Sequence, residues 1–566
     1  MTMSSGTTTM TIGDFLLRRL TEAGLRHLFG VPGDFNLDFM QQVEDAGAPQ
    51  WVGACNELNA SYAADGYARL TGLAAVVVTN GVGALSAING IAGAYSEHVP
   101  VICICGSLPR KSFERALMMH HTFADGTHDN FLQALSQVTA AQTQLSPQNA
   151  ASEIDRMIRT AYLQKRPVYV ELPSDIAYLD IDVPTEQLNL SDPVSDTERL
   201  NACVTAMAER MSSAKNAAIL IDLDTDRFGV SEDVLALAQK RQLPIAAIST
   251  SKGVIDEDNP YFYGLYSGAG SSPHVREAVE HSDCLLAIGL RRIDSTSGFF
   301  SDSIPVDTIH ARAYSVDIGA ENYQAVTLKE VLRGVIDKLP DFGAPLENPS
   351  ATVSVAQPSF GGPLTQAAYW SAIQDFLQPG DVLIAEDGTS SAGALGLTLP
   401  PRCTFVTQAV WGSIGYSLGA LLGTLIAAPQ RRHLLFIGDG SFQLTAQELS
   451  TILRHDLKPV IFLISNGGYT IERTILGKTA RYNDIANWAY TDLPKVFRPD
   501  TAAESFVVRT VDELHKVLST PHDNLVFIEA IMDPTDAPAS LIASGHASAD
   551  LDYGPRGPQR RKGAQI

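Results

Sequence analysis

Cysteine is scarce in this sequence, with six in 566 residues. No Cys-X-X-Cys pair occurs. Cys103 and Cys105 alternate within the apolar run VPVICICG, so on a strand they would point to opposite faces. The sequence therefore suggests neither a zinc site nor a disulfide framework.

Features of export and membrane insertion are also missing. The N-terminal stretch MTMSSGTTTM has neither the basic segment nor the apolar segment of a signal peptide. No apolar run approaches the length of about 18 residues that a membrane-spanning helix needs. We therefore expect a cytoplasmic protein with no membrane partner.

Positive charge is in deficit, because 41 Lys and Arg residues face 63 Asp and Glu residues, for a net charge of −22. Surfaces that bind nucleic acid or anionic lipid carry an excess of Lys and Arg. Neither partner is expected. The one basic stretch, GPRGPQRRKG, is short and rich in Gly and Pro, and is interpreted as part of a flexible end.

The chain is long enough for about three domains at the usual domain size. Short apolar runs such as AAVVVTNG, CLLAIGL and DTIHARAYSVDI alternate with stretches of helical periodicity such as GALSAINGIAGAYSE. This βαβ pattern predicts the α/β class, with three open parallel-sheet domains. The expected segments are a first domain over 1–190, a middle domain over 191–345, a linker over 346–362, a third domain over 363–545 and a flexible tail over 546–566.

Two Gly-rich turns follow neighbouring apolar strands, in HLLFIGDGSF and in VIFLISNGGY. A single helix is expected between these strands, which places Asp439 and Asn466 at the same sheet edge. Carboxylate and carbonyl oxygens suit Mg²⁺, and the helix after Ser441 offers its N-terminus to a phosphate. Gly, Asp and Asn are also common in ordinary turns, so the turns alone leave both interpretations open.

Other nucleotide motifs fit less well. A P-loop needs Gly-Lys-Ser/Thr, and no such triplet follows these strands. In TNGVGALSAING, Ser86 replaces the third Gly of a dinucleotide fingerprint, and no acid stands about 20 residues further on. A diphosphate bound through Mg²⁺ remains the better hypothesis.

The GDG triplet, followed after about 25 residues by Asn, resembles the thiamine diphosphate–Mg²⁺ motif. Further matching stretches are FGVPGDFNLDF, GACNELNASYAADGYAR, MMHHTFADG, WGSIGYSLGA and GGYTIERTI. Together they resemble the 2-oxo acid decarboxylases of the pyruvate decarboxylase and indolepyruvate decarboxylase group, over residues 10–540. The adjacent His pair and the YTIE stretch are specific to this group.

The resemblance implies non-oxidative decarboxylation of a 2-oxo acid to an aldehyde and CO₂, through an ylide and an enamine of thiamine diphosphate. Decarboxylation leaves a carbanion that no side chain can delocalise, whereas the thiazolium ring is an electron sink.

The resemblance also implies which residues hold the cofactor. The expected Mg²⁺ ligands are Asp439, Asn466 and the carbonyl of Gly468. The expected contacts to the diphosphate are Gly440, Ser441, Thr389 and the amide of Ile471, with Asp387 beside them in a role left open. The expected contacts to the aminopyrimidine ring are the carboxyl group of Glu57, the carbonyl of Gly412 and the apolar wedge Ile414.

At the substrate end, the resemblance implies four proton-handling side chains, which are Asp34, His120, His121 and Glu472. Closely spaced ionisable groups titrate as a set, so no individual protonation state is assigned. Three of them lie in the first domain, whereas the metal ligands lie in the third. The resemblance implies that the first domain of one subunit pairs with the third domain of its partner. A homodimer with shared sites, paired into tetramers, is expected. The middle domain is expected to be a scaffold, and the regulatory cysteine of some yeast relatives has no counterpart in ILIDLDTDRFGV.

Substrate choice is open. Pyruvate-specialised bacterial relatives carry a bulky aromatic residue two positions after Thr389, whereas this chain has Ser391 followed by Ala392. A large side chain excludes large substrates by steric clash. Indolepyruvate or phenylpyruvate is therefore the first expectation, with pyruvate and branched-chain 2-oxo acids as alternatives. A carboligating enzyme like acetolactate synthase is less favoured, and so is a non-catalytic protein that kept the fold.

Overall fold

The computed structural model describes residues 6–341 and 362–561 of the chain. They form three α/β domains in sequence order, each built around one sheet. Most of the predicted linker, residues 346–361, lies outside the described residues.

The first domain has a six-stranded parallel sheet in the order β3-β2-β4-β5-β7-β6. Its central strands are fully buried, as expected for apolar runs with helices on both faces. The strands of this domain are β1 Thr7–Thr11, β2 His27–Gly30, β3 Gln50–Gly53, β4 Ala74–Thr79, β5 Val101–Ser107, β6 Ala141–Gln144, β7 Val168–Pro173 and β8 Asp180–Pro184. The helices are α1 Ile12–Glu22, α2 Leu37–Ala46, α3 Glu57–Thr71, α4 Val82–Ser96, α5 Arg110–Arg115, α6 Asn130–Ser136 and α7 Ala150–Gln164.

The first and last strands of this domain in chain order, β1 and β8, form a separate two-stranded antiparallel sheet. The sequence analysis did not predict either strand. The pair joins the start of the domain to its end, with Thr7 opposite Pro184.

The middle domain has a seven-stranded sheet in the order β11-β10-β9-β12-β13-β14-β15. Its strands are β9 Ala217–Ile221, β10 Ile245–Ala247, β11 Phe262–Leu265, β12 Cys284–Ile288, β13 Ile309–Arg312, β14 Ser315–Ile318 and β15 Glu321–Gln324. Its helices are α8 Thr197–Ser213, α9 Asp224–Arg227, α10 Ser231–Arg241, α11 Pro273–Glu280 and α12 Leu328–Lys338.

This sheet is not wholly parallel, which corrects the prediction for DTIHARAYSVDI. That stretch forms an antiparallel hairpin in which His310 pairs with Asp317, and β15 extends it in the antiparallel sense. A parallel crossover needs about a dozen residues or more. Only Ala313 and Tyr314 separate β13 from β14, so a hairpin is the connection that fits.

The third domain has a six-stranded parallel sheet in the order β17-β16-β18-β19-β21-β20. Its strands are β16 Val382–Ala385, β17 Thr404–Val406, β18 His433–Gly438, β19 Val460–Ser465, β20 Glu504–Val508 and β21 Val526–Ile531. Its helices are α13 Gln366–Phe376, α14 Thr389–Ala394, α15 Tyr416–Ala427, α16 Asp439–Thr445, α17 Glu448–Arg454, α18 Thr470–Ile475, α19 Leu493–Phe497, α20 Val511–Leu518 and α21 Ala539–Tyr553.

Two helices, rather than the single one predicted, connect β18 to β19. The first already begins at Asp439, and the chain tightens where α16 meets α17. There the amides of Leu449 and Ser450 donate to carbonyls three residues earlier, as in a 3₁₀ turn. The two strands still pair in parallel and end at the same edge of the sheet.

The first and third domains pack directly through α3 and α15. Small residues allow the close approach: a Cβ at Gly423 would lie 1.9 Å from the carbonyl oxygen of Ala63, and one at Gly66 would lie 2.3 Å from that of Ala420. One continuous hydrophobic core spans both domains. The packing fixes the start of α3, where Glu57 lies, and the loop that leads into α15.

The C-terminal region differs from the predicted flexible tail. Helix α21 continues past residue 545, with Leu541 and Ala549 buried, and packs against α18. The buried side chain of Gln559 donates a hydrogen bond to the carbonyl of Ala549. Among the described residues, no helix has both the length and the apolar character required to span a bilayer.

Candidate active site

A cradle of oxygen atoms forms where β18 and β19 end. The carboxylate of Asp439 is buried and accepts hydrogen bonds from the amides of Gly440 (2.8 Å), Asn466 (3.0 Å) and Gly467 (2.7 Å). The side-chain amide of Asn466 donates to Thr470 Oγ1 at 2.8 Å, which leaves its Oδ1 to face a cation. The structure thus brings Asp439 and Asn466 together.

The electrostatics of this cradle suit a metal ion. Burial raises the pKa of Asp439 to about 6, and the backbone N–H groups that bond the carboxylate oppose the rise. A nearby cation stabilises the ionised form of a buried carboxyl group. Carboxylate and carbonyl oxygens are the ligands Mg²⁺ prefers, so the donor set fits that ion.

Two glycines in the cradle have no room for a side chain. A Cβ at Gly440 would lie 2.6 Å from the ring of Tyr469. Gly468 has φ 147°, and a Cβ there would lie 1.9 Å from the carbonyl oxygen of Asn483. Packing as well as ligand approach therefore requires glycine at both positions.

The residues predicted to contact a diphosphate lie around the same edge of the sheet. Thr389 begins α14 and is buried, as is Ser441 in α16. A Cβ at Gly388, between β16 and α14, would lie 3.9 Å from the side chain of Ile471. The turn after β16 therefore lies beside the start of α18.

Asp387 lies beside this region. Desolvation by the surrounding protein raises the pKa of its carboxyl group, although the residue keeps an exposed surface, and its Oδ1 accepts a hydrogen bond from the amide of Gly388 at 2.8 Å. A Cβ at Gly412 would lie 3.4 Å from Asp387 Oδ2. The structure therefore brings Asp387 next to the residue predicted to contact the aminopyrimidine ring.

The loop before α15 presents Ile414 with 36 % of its surface exposed. Its neighbour Ser413 is held by the first domain: Ser413 Oγ lies 2.6 Å from Tyr62 Oη and 2.9 Å from Asn89 Nδ2. Sequence reasoning named neither Tyr62 nor Asn89. Tyr62 lies inside the matched stretch NELNASYAADGYAR, but no motif pairs it with the loop.

Sequence reasoning also missed Glu386, which follows β16 and is buried beneath this loop. Its Oε2 accepts hydrogen bonds from the amides of Gly415 and Ser417 (3.2 Å each) and from Ser417 Oγ (2.6 Å). Burial raises the pKa of Glu386 to about 7. The available signal was an acid at the end of the apolar run VLIAE, where a charge has to be buried.

A second group of titratable side chains lies in the first domain. His120 Nε2 is 2.7 Å from Asp34 Oδ2, and His121 Nδ1 is 3.9 Å from Asp34 Oδ1. The ring of Phe35 stacks on His120 with centroids 4.9 Å apart. The three ligand atoms lie within 4.8 Å of one another, close enough to surround one cation, whereas only His120 and Asp34 are close enough to exchange a proton directly.

Glu57 is the first residue of α3, after the helix cap Asn56, whose Oδ1 accepts a hydrogen bond from the amide of Asn59 at 2.8 Å. Its carboxylate faces the start of α4, since a Cβ at Gly83 would lie 3.2 Å from Glu57 Oε1. Glu472 lies on α18 in the third domain and is exposed.

The predicted site residues therefore form two groups within one chain. Among the described residues, no hydrogen bond or ion pair joins Asp34, Glu57 or the His pair to Asp439 or Glu472. The Asp34–His120 pair and Glu472 are exposed, whereas Asp439 and Asn466 are buried in the third domain.

Three family models match the chain in order. They are the thiamine pyrophosphate enzyme N-terminal TPP binding domain over residues 10–137, the central domain over 204–339 and the C-terminal TPP binding domain over 388–530. An alpha-keto-acid decarboxylase of Mycolicibacterium paratuberculosis is 38% identical over 539 residues, which cover 94% of this chain and 95% of the relative. The chain belongs to the family of thiamine diphosphate-dependent 2-oxo acid decarboxylases.

Other relatives of this decarboxylase family member are named pyruvate decarboxylases. The one from Aspergillus terreus is 39% identical and covers 95% of this chain and 97% of the relative. The one from Hanseniaspora uvarum is 37% identical, and the match covers 96% of this chain and 99% of the relative. These matches confirm the predicted family, the α/β fold class and thiamine diphosphate as the cofactor. None of the relatives named here is described as an indolepyruvate decarboxylase, so the indolepyruvate subtype is not confirmed.

Proposed function

We propose that this decarboxylase acts on 2-oxo acids with large side chains, indolepyruvate and phenylpyruvate first among them, and releases the aldehyde and CO₂ without oxidation. The assignment of decarboxylation to this protein rests on its family membership. The observation that carries the chemistry is the buried Asp439–Asn466 cradle at two adjacent strand ends. The substrate class rests on the small residues beside Thr389.

The cradle and the turns around it would hold the cofactor. Asp439, Asn466 and the Gly468 carbonyl bind Mg²⁺ in this proposal. The residues that contact the diphosphate in this proposal are Gly440, Ser441, Thr389 and Ile471, with Asp387 beside them. When bound, thiamine diphosphate supplies the electron sink that decarboxylation needs.

The remaining residues orient the ring system. Glu57 holds a proton at the aminopyrimidine ring, and the carbonyl of Gly412 accepts from its amino group. Ile414 supports the bent shape of the cofactor, and its exposure in the isolated chain supports that role, because an apolar side chain on an open face is available for a ligand.

Proton transfer at the substrate falls to Asp34, His120, His121 and Glu472. The 2.7 Å contact between His120 and Asp34 supports this assignment, since it is short enough for a proton to be exchanged. A carboxylate also orients the ring of a bonded histidine.

The site is shared between two subunits of a homodimer in this proposal, with dimers paired into tetramers. The two separate groups within one chain support it. So do apolar side chains exposed beside both groups, namely Val82, Leu85, Trp411 and Leu444. Contiguous exposed apolar surface marks protein–protein contacts. The cytoplasm is the proposed location.

The substrate preference depends on Ser391 and Ala392 in α14. Ser391 Oγ donates to the carbonyl of Gly388 at 3.2 Å, so this small side chain is turned back on its own helix. In this proposal, the small side chains of Ser391 and Ala392 leave room for an aryl group. Pyruvate is the second candidate, because relatives with this degree of identity are named pyruvate decarboxylases.

The test is a panel of indolepyruvate, phenylpyruvate, a branched-chain 2-oxo acid and pyruvate, with and without thiamine diphosphate and Mg²⁺. Aldehyde and acyloin are measured separately, which distinguishes the lyase from a carboligating enzyme. We expect aldehyde from the aryl substrates with the highest kcat/KM. A preference for pyruvate selects the second candidate, and no cofactor-dependent turnover of any substrate contradicts the proposal.

A matched pair of variants tests the substrate pocket. Ser391→Trp should lower kcat/KM for phenylpyruvate by at least about tenfold and spare pyruvate, because a clash excludes the larger substrate. Ser391→Ala removes the same hydroxyl without adding bulk and should leave the preference unchanged. Equal effects of both variants would show that size at this position does not select the substrate.

A further inference from the structure

Glu386 is a buried acid to which the proposed function gives no role. Only 2 % of its surface is exposed, and it lies at the end of β16 in the third domain. Its carboxylate receives four hydrogen bonds. Three reach Oε2 from Gly415 and Ser417, and one reaches Oε1 from the amide of Asp387 at 3.1 Å.

The loop over Glu386 is residues 412–417, here called the wedge loop. Three of its anchors are separate side chains: Thr445 Oγ1 donates to the Gly415 carbonyl at 2.8 Å, and Tyr62 and Asn89 bond Ser413. Glu386 is the anchor for the amides at its far end. Those amides belong to the first turn of α15, which has no intrahelical acceptors for them.

The contacts of Glu386 favour its ionised form. Three of the four partners are backbone N–H groups, which can only donate, and the fourth is the Ser417 hydroxyl, which could also accept from a protonated carboxyl group. Burial opposes ionisation and raises the pKa of Glu386 to about 7. The titratable groups that face it are Asp387, which opposes its charge, and Tyr62 of α3.

At the near end of the wedge loop, the amides of Gly412 and Ser413 donate to the carbonyl and to Oε1 of Gln408. At its far end, Glu386 is the acceptor for the amides of Gly415 and Ser417, and the buried Tyr416 donates to Asp65. Ile414 itself, with 36 % of its surface exposed, is only partly packed within the chain. Hydrogen bonds from a buried carboxylate to a helix start are stronger than neutral ones. A loop that is already ordered before the cofactor binds loses less conformational entropy on binding.

We propose that Glu386 is a positioning residue whose carboxylate holds the wedge loop in its binding shape before the cofactor arrives. It touches neither the reacting atoms nor the metal cradle, and acts through Gly412 and Ile414. The inference rests on the proposed function for the roles of those two residues.

The first measurement needs no catalysis. In the cofactor-free chain, Glu386→Ala should speed hydrogen–deuterium exchange of the peptide that contains the wedge loop by at least about tenfold, since a lost charged hydrogen bond is worth that factor or more. In the same variant, the Kd for thiamine diphosphate at saturating Mg²⁺ should rise about tenfold or more. KM for the 2-oxo acid should change little in enzyme saturated with cofactor.

Glu171→Ala is the matched control. Glu171 is 1 % exposed and burial raises its pKa to about 7, but it lies on β7 of the first domain and bonds Gln144 and Tyr169 instead. It should lower thermal stability without changing exchange in the wedge loop or the Kd for the cofactor. Equal effects of the two substitutions would reduce Glu386 to a general core residue and overturn the inference.

Glu386→Gln keeps the size of the side chain and covers the case in which the alanine variant does not fold. The side-chain amide oxygen of this variant can still accept a hydrogen bond from Ser417, but the side chain cannot ionise. In wild-type enzyme the affinity for the cofactor should fall as pH drops through about 7, and this step should be absent in Glu386→Gln. The fall in Mg²⁺ affinity expected near pH 6 belongs to Asp439 and should be the same in both enzymes, so the comparison is made at saturating Mg²⁺. A step near pH 7 that keeps its full size in the variant assigns that titration to another group and contradicts the inference.

The outcomes separate this inference from the proposed function. If the wild-type enzyme turns over no 2-oxo acid, the proposed function fails, while the exchange data still decide whether Glu386 orders the loop. If the wild-type enzyme is active and Glu386→Ala matches it in exchange and in Kd, the inference is wrong.

Discussion

The pKa of Asp439, raised to about 6, relates the burial of this carboxyl group to its capacity to bind a cation. Burial penalises its charge, and the N–H groups of the two turns recover part of that cost. Without a cation the ionised carboxylate lowers the stability of the fold. A bound metal ion removes the penalty and makes the carboxylate a ligand.

Replacement of Asp439 by Asn should therefore weaken Mg²⁺ binding by at least about 100-fold, since a ligand matters at least as much as its hydrogen-bonded supporters. For wild-type enzyme, Mg²⁺ affinity should fall as pH drops through about 6, because a protonated carboxyl does not bind the ion. Titration with Mg²⁺ at a series of pH values measures both effects.

Metal-free stability provides the control for that substitution. The folded-state pKa of Asp439 is above its usual value of 3.8, so the folded chain binds the proton more tightly than the unfolded chain. The stabilising contribution is present at low pH and is lost as pH rises from about 4 through about 6. Asp439→Asn should lack this pH-dependent loss in urea unfolding. A variant less stable than wild type by the same amount at every pH would indicate misfolding instead.

Glu57 allows a second test at a single residue. Glu57→Gln keeps the shape at the start of α3 and removes the acid, so the Kd for thiamine diphosphate should stay within about threefold while kcat falls at least about 100-fold, the usual contribution of a general acid or base. Steady-state kinetics and cofactor titration of the same preparation separate the two quantities. Near-normal turnover would remove Glu57 from the proposed mechanism.

At the scale of elements, the contact between α3 and α15 positions two candidate groups at once. Glu57 begins α3, and the wedge loop leads into α15. The helices approach closely because Gly66, Gly419 and Gly423 face backbone and side-chain atoms of the opposite helix. Such packing is sensitive to the addition of one methyl group.

Gly423→Ala should lower the free energy of unfolding by about 1–3 kcal/mol or more, because the new Cβ would lie 1.9 Å from the Ala63 carbonyl oxygen and the helices would have to separate. Urea unfolding measures the change. Gly270→Ala is the control, since its nearest neighbour would be 4.0 Å away, and its effect should be close to zero. Equal stabilities of the two variants would contradict the packing argument.

At the scale of the whole molecule, the predicted site residues divide between the first and third domains, and apolar side chains are exposed in both domains. The first domain offers Glu57 and the Asp34–His120 pair, and the third offers the Asp439 cradle. A two-fold dimer would bring the first domain of each chain to the third of the other and form two equal sites.

Two inactive variants should therefore restore each other. When Glu57→Gln and Asp439→Asn chains are co-expressed, random pairing makes about half of the dimers mixed, and each mixed dimer carries one intact site. The expected activity is about a quarter of wild type per chain. Either variant expressed alone is the control. If no activity returns in the mixture although mixed dimers form, each site is contained within one chain.

The sequence predicted the domain architecture of this protein better than the details of its sheets and helix ends. Alternation of apolar runs with helical periods predicted three α/β domains because buried parallel strands need apolar side chains on both faces. The antiparallel end of the middle sheet was missed, since strand direction depends on the two-residue connection at Ala313 and Tyr314 rather than on apolar content. The break between α16 and α17 and the packing of α21 also escaped prediction, because both depend on neighbours distant in sequence.

The sequence by itself determined the chemistry on offer at each strand end, because a turn's residue types fix which atoms can bind a phosphate or a cation. Asp439 and Asn466 could be named on that basis. Glu386, Tyr62 and Asn89 could not, since their importance comes from hydrogen bonds across about 30 to more than 300 residues of chain. Only the tertiary structure decided which acid lies under the wedge loop and that Asp34 is exposed whereas Asp439 is buried, because burial is set by packing within and between domains.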